Sequence, residues 1–519
     1  MKQVIFFVLL VLSKISPRLA SRLMIWQILR QSRFRPHPFS MVHDYTSWTS
    51  LTDKRYSARH LPARKAARLP DVAKILPIFR RDFSGPVFCE KSTCLFPAFA
   101  QYLTDGFVRT RMPVGQETDE VRKQTTSNNE IDMCPLYGRL PEQTKALRLL
   151  SEIPGEKGRL KSQMLQIDSG QKEEFSPFLL DDSGNIKPEF EVLDVPLGLP
   201  RQTNPDLLRL IFAVGGDRVN AVPTVSLLNT LFLREHNRVA GLIEAANPQW
   251  DDERVFQTAR NVVIVLFIKL VVEEYINHIR PEPAAFVVDP SIAWHAAWNK
   301  PNWITTEFSL LYRWHSLIPD EMQWNGVNLT IDRLFLNNQP VISGGLAQGF
   351  IDLSSQKAGR LGVGNTNQWI MPQEKFAIEQ GRLCELASYA DYREYVSLGR
   401  PTKFEDITRD AKALETLKAC YERVEDVEFY VGLFAEETLP NTPLQELMIR
   451  FVAIDAFSQA LTNPLLSEHV WNETTFSAVG WKVIHETKCL EDMVRRNGHL
   501  PAGSNSVTMT QPGWKFKWF

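Results

Sequence analysis

The chain predicts a mainly α fold, and three features carry that expectation. Residues 224–241, TVSLLNTLFLREHNRVAG, keep a helical apolar period without a break. Residues 256–279 form a second long apolar stretch, and 376–396 and 440–490 show the same period. Alternating strand patterns are few, and no internal repeat is visible.

The elements follow in order. Residues 4–12, VIFFVLLVL, are nine apolar residues after a single Lys. A bilayer span needs about 20 residues, so this run is too short to cross. A second amphipathic stretch at 19–29 has Arg18, Arg22 and Arg30 around it. Three readings of this end stand side by side: helices lying in one leaflet, the apolar part of a cleaved secretion signal, or core packing. Residues 31–97 are rich in Pro and basic groups and are expected to wrap the surface. Residues 98–108 read as a helix, whereas 111–129 and 151–200 read as irregular. Pro223 suits the first turn of a helix because its φ is preset, and Asn247-Pro248 stops that helix. Lys269, Glu273 and Glu274 interrupt the apolar run of 256–279, which marks a buried core helix and not a span.

Composition narrows the function classes. The 519 residues carry a formal net charge of −1, which gives no electrostatic case for nucleic acid. Hydrophobic content of 44% allows an ample core, and 30 Phe and 13 Trp suit a large apolar interior. The six cysteines are scattered, with no CxxC pair or zinc spacing. Cys89 and Cys94 are close enough for a small disulfide, and two free thiols fit equally.

The chemistry concentrates at Tyr312-Arg313-Trp314-His315. Positions i and i+3 of a helix share a face, with Cβ atoms about 5–6 Å apart. An imidazole can ligate iron, and a phenol beside it can be oxidised by one electron. The ordinary alternative is a Tyr and His packed in a core. The polar patch Arg234-Glu235-His236-Asn237-Arg238 on the predicted long helix is the second unusual feature.

These segments carry a resemblance. TTEFSLLYRWHSLIPD (305–320) resembles the proximal segment of prostaglandin-endoperoxide synthases (cyclooxygenases), within the animal haem peroxidase superfamily. LREHNRV resembles that superfamily's most recognisable helix. VHDYTSWTSLTDKRYSARHLP, AFAQYLTDGF, IDMCPLYG, FAVGGDRVNAVP and DVEFYVG are similar to further blocks, in the family's order, from about residue 20 to 490. The resemblance implies a large helical haem peroxidase-like catalytic domain over 36–519, preceded by membrane-associating helices over 1–35. It implies a haem-dependent fatty-acid dioxygenase and peroxidase, attached to one leaflet. A polyunsaturated fatty acid, O2 and a hydroperoxide would be its reactants, and cyclooxygenases are dimers. Cyclooxygenases also carry a cysteine-rich module that this chain lacks, which suggests a reduced relative of bacterial type.

Site roles follow residue by residue. His315 is the expected proximal ligand of haem iron, Tyr312 the radical carrier and Tyr430 the partner of the His315 ring. The family places Gln and then His, four positions on, above the iron; here Gln101 is followed by Asp105 at that position. Asp105 then either acts as the base in peroxide cleavage, given a pKa raised by burial, or leaves that half-reaction slow or lost, or only anchors a loop at Gly106. Arg218, five residues before Pro223, matches the distal arginine of mammalian peroxidases related to myeloperoxidase; a surface ion pair with Asp217 or a neighbour is its other reading. That guanidinium is expected to lower the pKa of Asp105. Thr104 and Ala221 replace the carboxylates that esterify haem in those peroxidases, so haem b is expected to be noncovalent. No calcium loop is recognisable around Asp132. Arg30 ends a predicted helix and would bind either the fatty-acid carboxylate or a lipid phosphate. Two rival functions remain: a haem peroxidase acting on small donors, and a catalytically silent haem- or lipid-binding membrane protein.

Overall fold

The computed structural model describes residues 2–31, 39–43, 45–64, 68–500 and 506–517. Its centre is one long helix. We number α1 (Lys2–Ile15), α2 (Pro17–Gln31), α3 (Leu95–Asp105), α4 (Pro223–Ala246), α5 (Asp252–Leu270), α6 (Thr306–Leu311), α7 (Gln339–Ser355), α8 (Met371–Leu383), α9 (Phe429–Ala435), α10 (Glu446–Val452), α11 (Glu473–Glu486) and α12 (Leu490–Gly498). Pro223 occupies the first turn of α4, and Asn247 caps its end. Leu227, Leu228, Leu231 and Phe232 on α4 are fully buried. Helices α3, α5, α7, α11 and α12 all pack on it. Burying large side chains of this kind contributes about 1.5–3 kcal/mol each.

The polar patch of α4 serves this packing. Glu235 is fully buried and accepts from Arg238 on its own helix and from Arg496 on α12. Arg234 pairs with Glu173 at 2.8 Å. His236 lies between the Tyr137 hydroxyl and the Gly158 carbonyl, each 2.9 Å away. Burial pushes its pKa down to about 3, so it stays neutral. These ties hold flanking loops and the C-terminal helix to α4.

Helix α5 continues through a π turn at Val271–Ile276 to Ile279. It is long and apolar enough to cross a membrane, yet most of it is buried within the protein. Among the described residues, strands form only two-stranded antiparallel ribbons. One pairs Gln163–Gln166 with Lys172–Phe175, so the segment expected to be irregular holds a hairpin. All six cysteines are free thiols, which resolves Cys89 and Cys94.

At the N-terminus, α2 docks on the body through Ala20, Ser21, Met24 and Ile25. Arg22 Nε donates to Asp289 at 2.6 Å. Phe7, Val8 and Ile15 on α1 and Leu19, Leu23 and Trp26 on α2 remain exposed. Arg30 falls in the last turn of α2, and its side chain lies outside the described residues.

Candidate haem and radical site

The segment bearing Tyr312 and His315 is not the continuous helix that the spacing suggested. Thr305 caps α6 with its hydroxyl, accepting from Phe308 N. The helix then stops at Tyr312, whose ψ is 15°, and Trp314 departs further with ψ 44°. His315 opens a separate 3-10 turn, His315–Leu317. No Gly or Pro forces this break. Aromatic packing accounts for it: Trp314 lies tilted against Phe96 and stacked on Tyr275, at 5.4 and 6.4 Å between ring centroids. Tyr312 stands edge-on to Phe308 at 5.2 Å and lies 4.8 Å from Trp314.

The ring of His315 meets a carboxylate that the sequence did not reveal. His315 Nδ1 lies 3.1 Å from Glu374 Oε1, though off the line of a hydrogen bond. Glu374, on α8, is buried and also accepts from the Thr366 hydroxyl at 2.8 Å and the Tyr430 hydroxyl at 2.5 Å. Tyr430 is therefore not the direct partner of His315, as had been expected; Glu374 stands between them. Gly432 lets this corner close. A Cβ there would sit 2.3 Å from the Tyr389 ring, so only glycine allows α9 to approach. Nothing in MPQEKFAIEQ marked Glu374, because an acid in the first turn of a helix ordinarily faces water.

Gln101 and Asp105 lie one turn apart on α3, hence on one face. Asp105 is buried, and its Oδ2 has no hydrogen-bond partner. Its Oδ1 is 3.6 Å from Arg218 Nη1. That guanidinium also donates to the Val108 carbonyl at 2.8 Å. Asp217 pairs with Arg109 instead, at 2.9 Å. Burial pushes the Asp105 pKa up to about 6 against the opposing pull of Arg218. Desolvation thus outweighs the guanidinium, whose own effect is the expected lowering.

Arg313 links the two groups. Its guanidinium is within electrostatic range of Arg218 and Asp105 and of Tyr430 and Glu374, and burial lowers its pKa to about 10. Tyr312, Arg313, His315 and Gln101 keep some accessible surface among buried neighbours. The Tyr312 and Tyr275 hydroxyls are close enough to interact, although neither completes a hydrogen bond. Burial raises the Tyr312 pKa, so the phenol is protonated at neutral pH.

This arrangement fits a haem. Glu374 engages the Nδ1 side of the His315 ring, as outer partners of metal-bound histidines commonly do, and Nε2 is left for iron. A buried carboxyl oxygen without a partner and a guanidinium beside it suit the handling of a peroxide. The model for the animal haem peroxidase family matches residues 86–505.

The chain belongs to the animal haem peroxidase family.

Haem binding and an oxidoreductase role come with this membership. The chain is 29% identical over 478 residues to prostaglandin G/H synthase 1 of Rattus norvegicus, covering 89% of this chain and 74% of that protein. Identity to prostaglandin G/H synthase 2 of Bos taurus is 27% over 477 residues, with the same coverage of 89% and 74%. Among solved structures, the fold is similar to a fatty acid alpha-dioxygenase of Oryza sativa, with TM-score 0.69, 16% identity, and 94% and 92% of the two chains covered. It is also similar to peroxidase A of Dictyostelium discoideum, with TM-score 0.67, 18% identity, and 93% and 96% covered. The all-α haem peroxidase fold is thus the fold of this protein.

Proposed function

We propose that this family member is a fatty-acid dioxygenase that works through a Tyr312 radical. One observation carries the reading. A single short segment presents a deep, protonated phenol and, three residues on, an imidazole backed by a buried carboxylate. Bound haem b, held noncovalently, would supply the oxidising power of a hydroperoxide.

The chain's own residues do the rest. His315 holds the group, while Glu374 and Tyr430 fix the ring. Asp105 takes the hydroperoxide proton, with Gln101 beside it, and Arg218 faces the negative charge that develops. Tyr312 gives up one electron and its phenolic proton. The resulting phenoxyl takes a hydrogen atom from an unsaturated fatty acid. O2 adds to the carbon radical, and the peroxyl radical takes the hydrogen back from Tyr312. The product is a fatty-acid hydroperoxide. A prostaglandin-type endoperoxide forms instead where the peroxyl radical adds across a double bond of the same chain and the resulting carbon radical takes up a second O2 before the hydrogen returns. Arg30 is assigned to the carboxylate, and the exposed apolar faces of α1 and α2 to a membrane surface. A homodimer is part of the same reading.

Asp105 and Arg218 favour a second reading: a peroxidase that oxidises small donors and leaves Tyr312 unused. Oxygen uptake with linoleate or arachidonate separates the two. Uptake that Tyr312→Phe abolishes, with hydroperoxide identified by mass spectrometry, supports the dioxygenase. Peroxidase turnover without uptake supports the second reading.

A further inference from the structure

When Tyr312 is oxidised, its phenolic proton needs an acceptor. A buried acid–imidazole pair lies at the start of α6. His60 Nε2 is 3.0 and 2.9 Å from the two carboxylate oxygens of Asp455. The Thr305 hydroxyl donates to Asp455 Oδ2 at 3.1 Å. His60, Asp455 and Thr305 are all buried, and the Phe451 ring packs against the imidazole at 5.5 Å. The fold gains little from such a pair, because well-packed apolar side chains of similar volume commonly stabilise a core as well or better. Asp455 sits in a π turn, Ala453–Phe457. Among the described residues the other π turn is Val271–Ile276, which carries Tyr275, the residue whose hydroxyl lies near that of Tyr312. Such turns are frequent at functional sites.

A line of hydroxyls joins this pair to Tyr312. Thr305 caps α6 and Tyr312 ends it. Ser309 lies between them, and its N–H donates to the Thr305 carbonyl at 3.1 Å. Positions 305, 309 and 312 therefore share one face, with about 5–6 Å between successive Cβ atoms. Helical side chains lean toward the N-terminus. The Tyr312 ring does so, edge-on to Phe308 one turn earlier, which carries its hydroxyl back toward Ser309 and Thr305. The Ser309 and Tyr312 hydroxyls are buried, and neither has a hydrogen-bond partner among the described residues. Leaving a buried hydroxyl unpaired is costly, so packing alone gives no reason for a serine at 309. Asp455 is the charged group that acts on the Tyr312 phenol, and it helps keep the proton in place until the electron leaves.

We infer that Asp455 stores the phenolic proton of the Tyr312 radical step, and that the Ser309 and Thr305 hydroxyls pass it there. As one electron leaves Tyr312 for the haem site charged by a hydroperoxide, the phenolic O–H bond breaks. Ser309 takes that proton and yields its own to Thr305, which yields its own to Asp455. Asp455 ends as a carboxylic acid bonded to Thr305, with His60 Nε2–H still donating to it. The proton returns by the same route when the radical is finally reduced. His60 is a positioning residue, since it acts by holding the carboxylate. This inference rests on the dioxygenase reading, because it concerns the fate of that reading's proton.

The test uses the haem-loaded full-length protein mixed with a fatty-acid hydroperoxide, in H2O and in D2O. Charging of the haem site is followed by stopped-flow absorbance, and the tyrosyl radical by rapid-freeze electron paramagnetic resonance. Ser309→Ala and Asp455→Asn should each slow radical formation by about a hundredfold or more, while charging keeps the parent's rate. The parent's radical step should be slower in D2O. Ser309→Ala removes a hydroxyl that has no partner, so its Tm should equal or exceed the parent's. A slow radical step in a variant at least as stable as the parent is not what a structural role would give. Should Asp455→Asn fail to fold, Ser309→Ala decides alone. A parent that forms no Tyr312 radical overturns the dioxygenase reading and this inference together. A parent radical that forms as fast in D2O, or as fast in Ser309→Ala, overturns this inference alone.

Discussion

The two sides of the candidate haem site are built differently. On the His315 side, Glu374 is held by Thr366 and Tyr430 and lies against the imidazole. On the Asp105 side, one carboxyl oxygen has no partner and the other has a guanidinium 3.6 Å away. A tightly tied carboxylate suits holding a ligand in one orientation. A loosely tied carboxylate with a raised pKa suits gaining and losing a proton near neutral pH. In the proposed function, Asp105 would thus do by burial what a histidine does by its intrinsic basicity.

The largest expected effect removes the link between both sides and the fatty acid. Tyr312→Phe should abolish oxygen uptake while haem loading, followed by absorbance, and oxidation of small donors continue. Next, Asp105→Asn should slow hydroperoxide turnover by about a hundred- to ten-thousand-fold, measured by stopped-flow absorbance. In the parent, the ionised carboxylate is the active form. The rate of that step should therefore fall as pH drops below about 6, the raised pKa of Asp105, and level off above it. Glu374→Gln should weaken haem affinity by about 10–100-fold and leave the pH profile in place. Arg218→Gln should slow the hydroperoxide step, because the developing charge loses its facing guanidinium, and should also move the profile. Loss of the opposing guanidinium lets the Asp105 pKa rise further, so the acidic limb moves to higher pH. If Glu374→Gln moves that limb and Asp105→Asn spares it, the division of labour between the sides is wrong.

How far the sequence discloses this site depends on which forces placed each residue. Helix α4 was legible because its apolar period, Pro223 and Asn247 agree on one element. His315, Tyr312, Gln101 and Arg218 stood out through resemblance, since their chemistry sits in short blocks. Glu374 did not, because its role depends on α8 meeting Tyr430 and Thr366 from distant parts of the chain. The helix break at Tyr312 was hidden for the same reason. TTEFSLLYRWHS carries no breaker, and the stop arises from packing of Trp314 against Phe96 and Tyr275. The net direction of the Asp105 pKa was not legible, because the sequence displays the arginine that lowers it but not the depth of burial that raises it. The patch on α4 drew notice for its charge density, yet its groups tie loops and α12 together.

The central claim is that His315 holds haem within electron reach of Tyr312. Rapid-freeze electron paramagnetic resonance of the haem-loaded protein, mixed with a fatty-acid hydroperoxide, tests it most directly. The account predicts a tyrosyl signal in the parent that vanishes in Tyr312→Phe. An unchanged signal in Tyr312→Phe, or haem loading undiminished in His315→Ala, would contradict it.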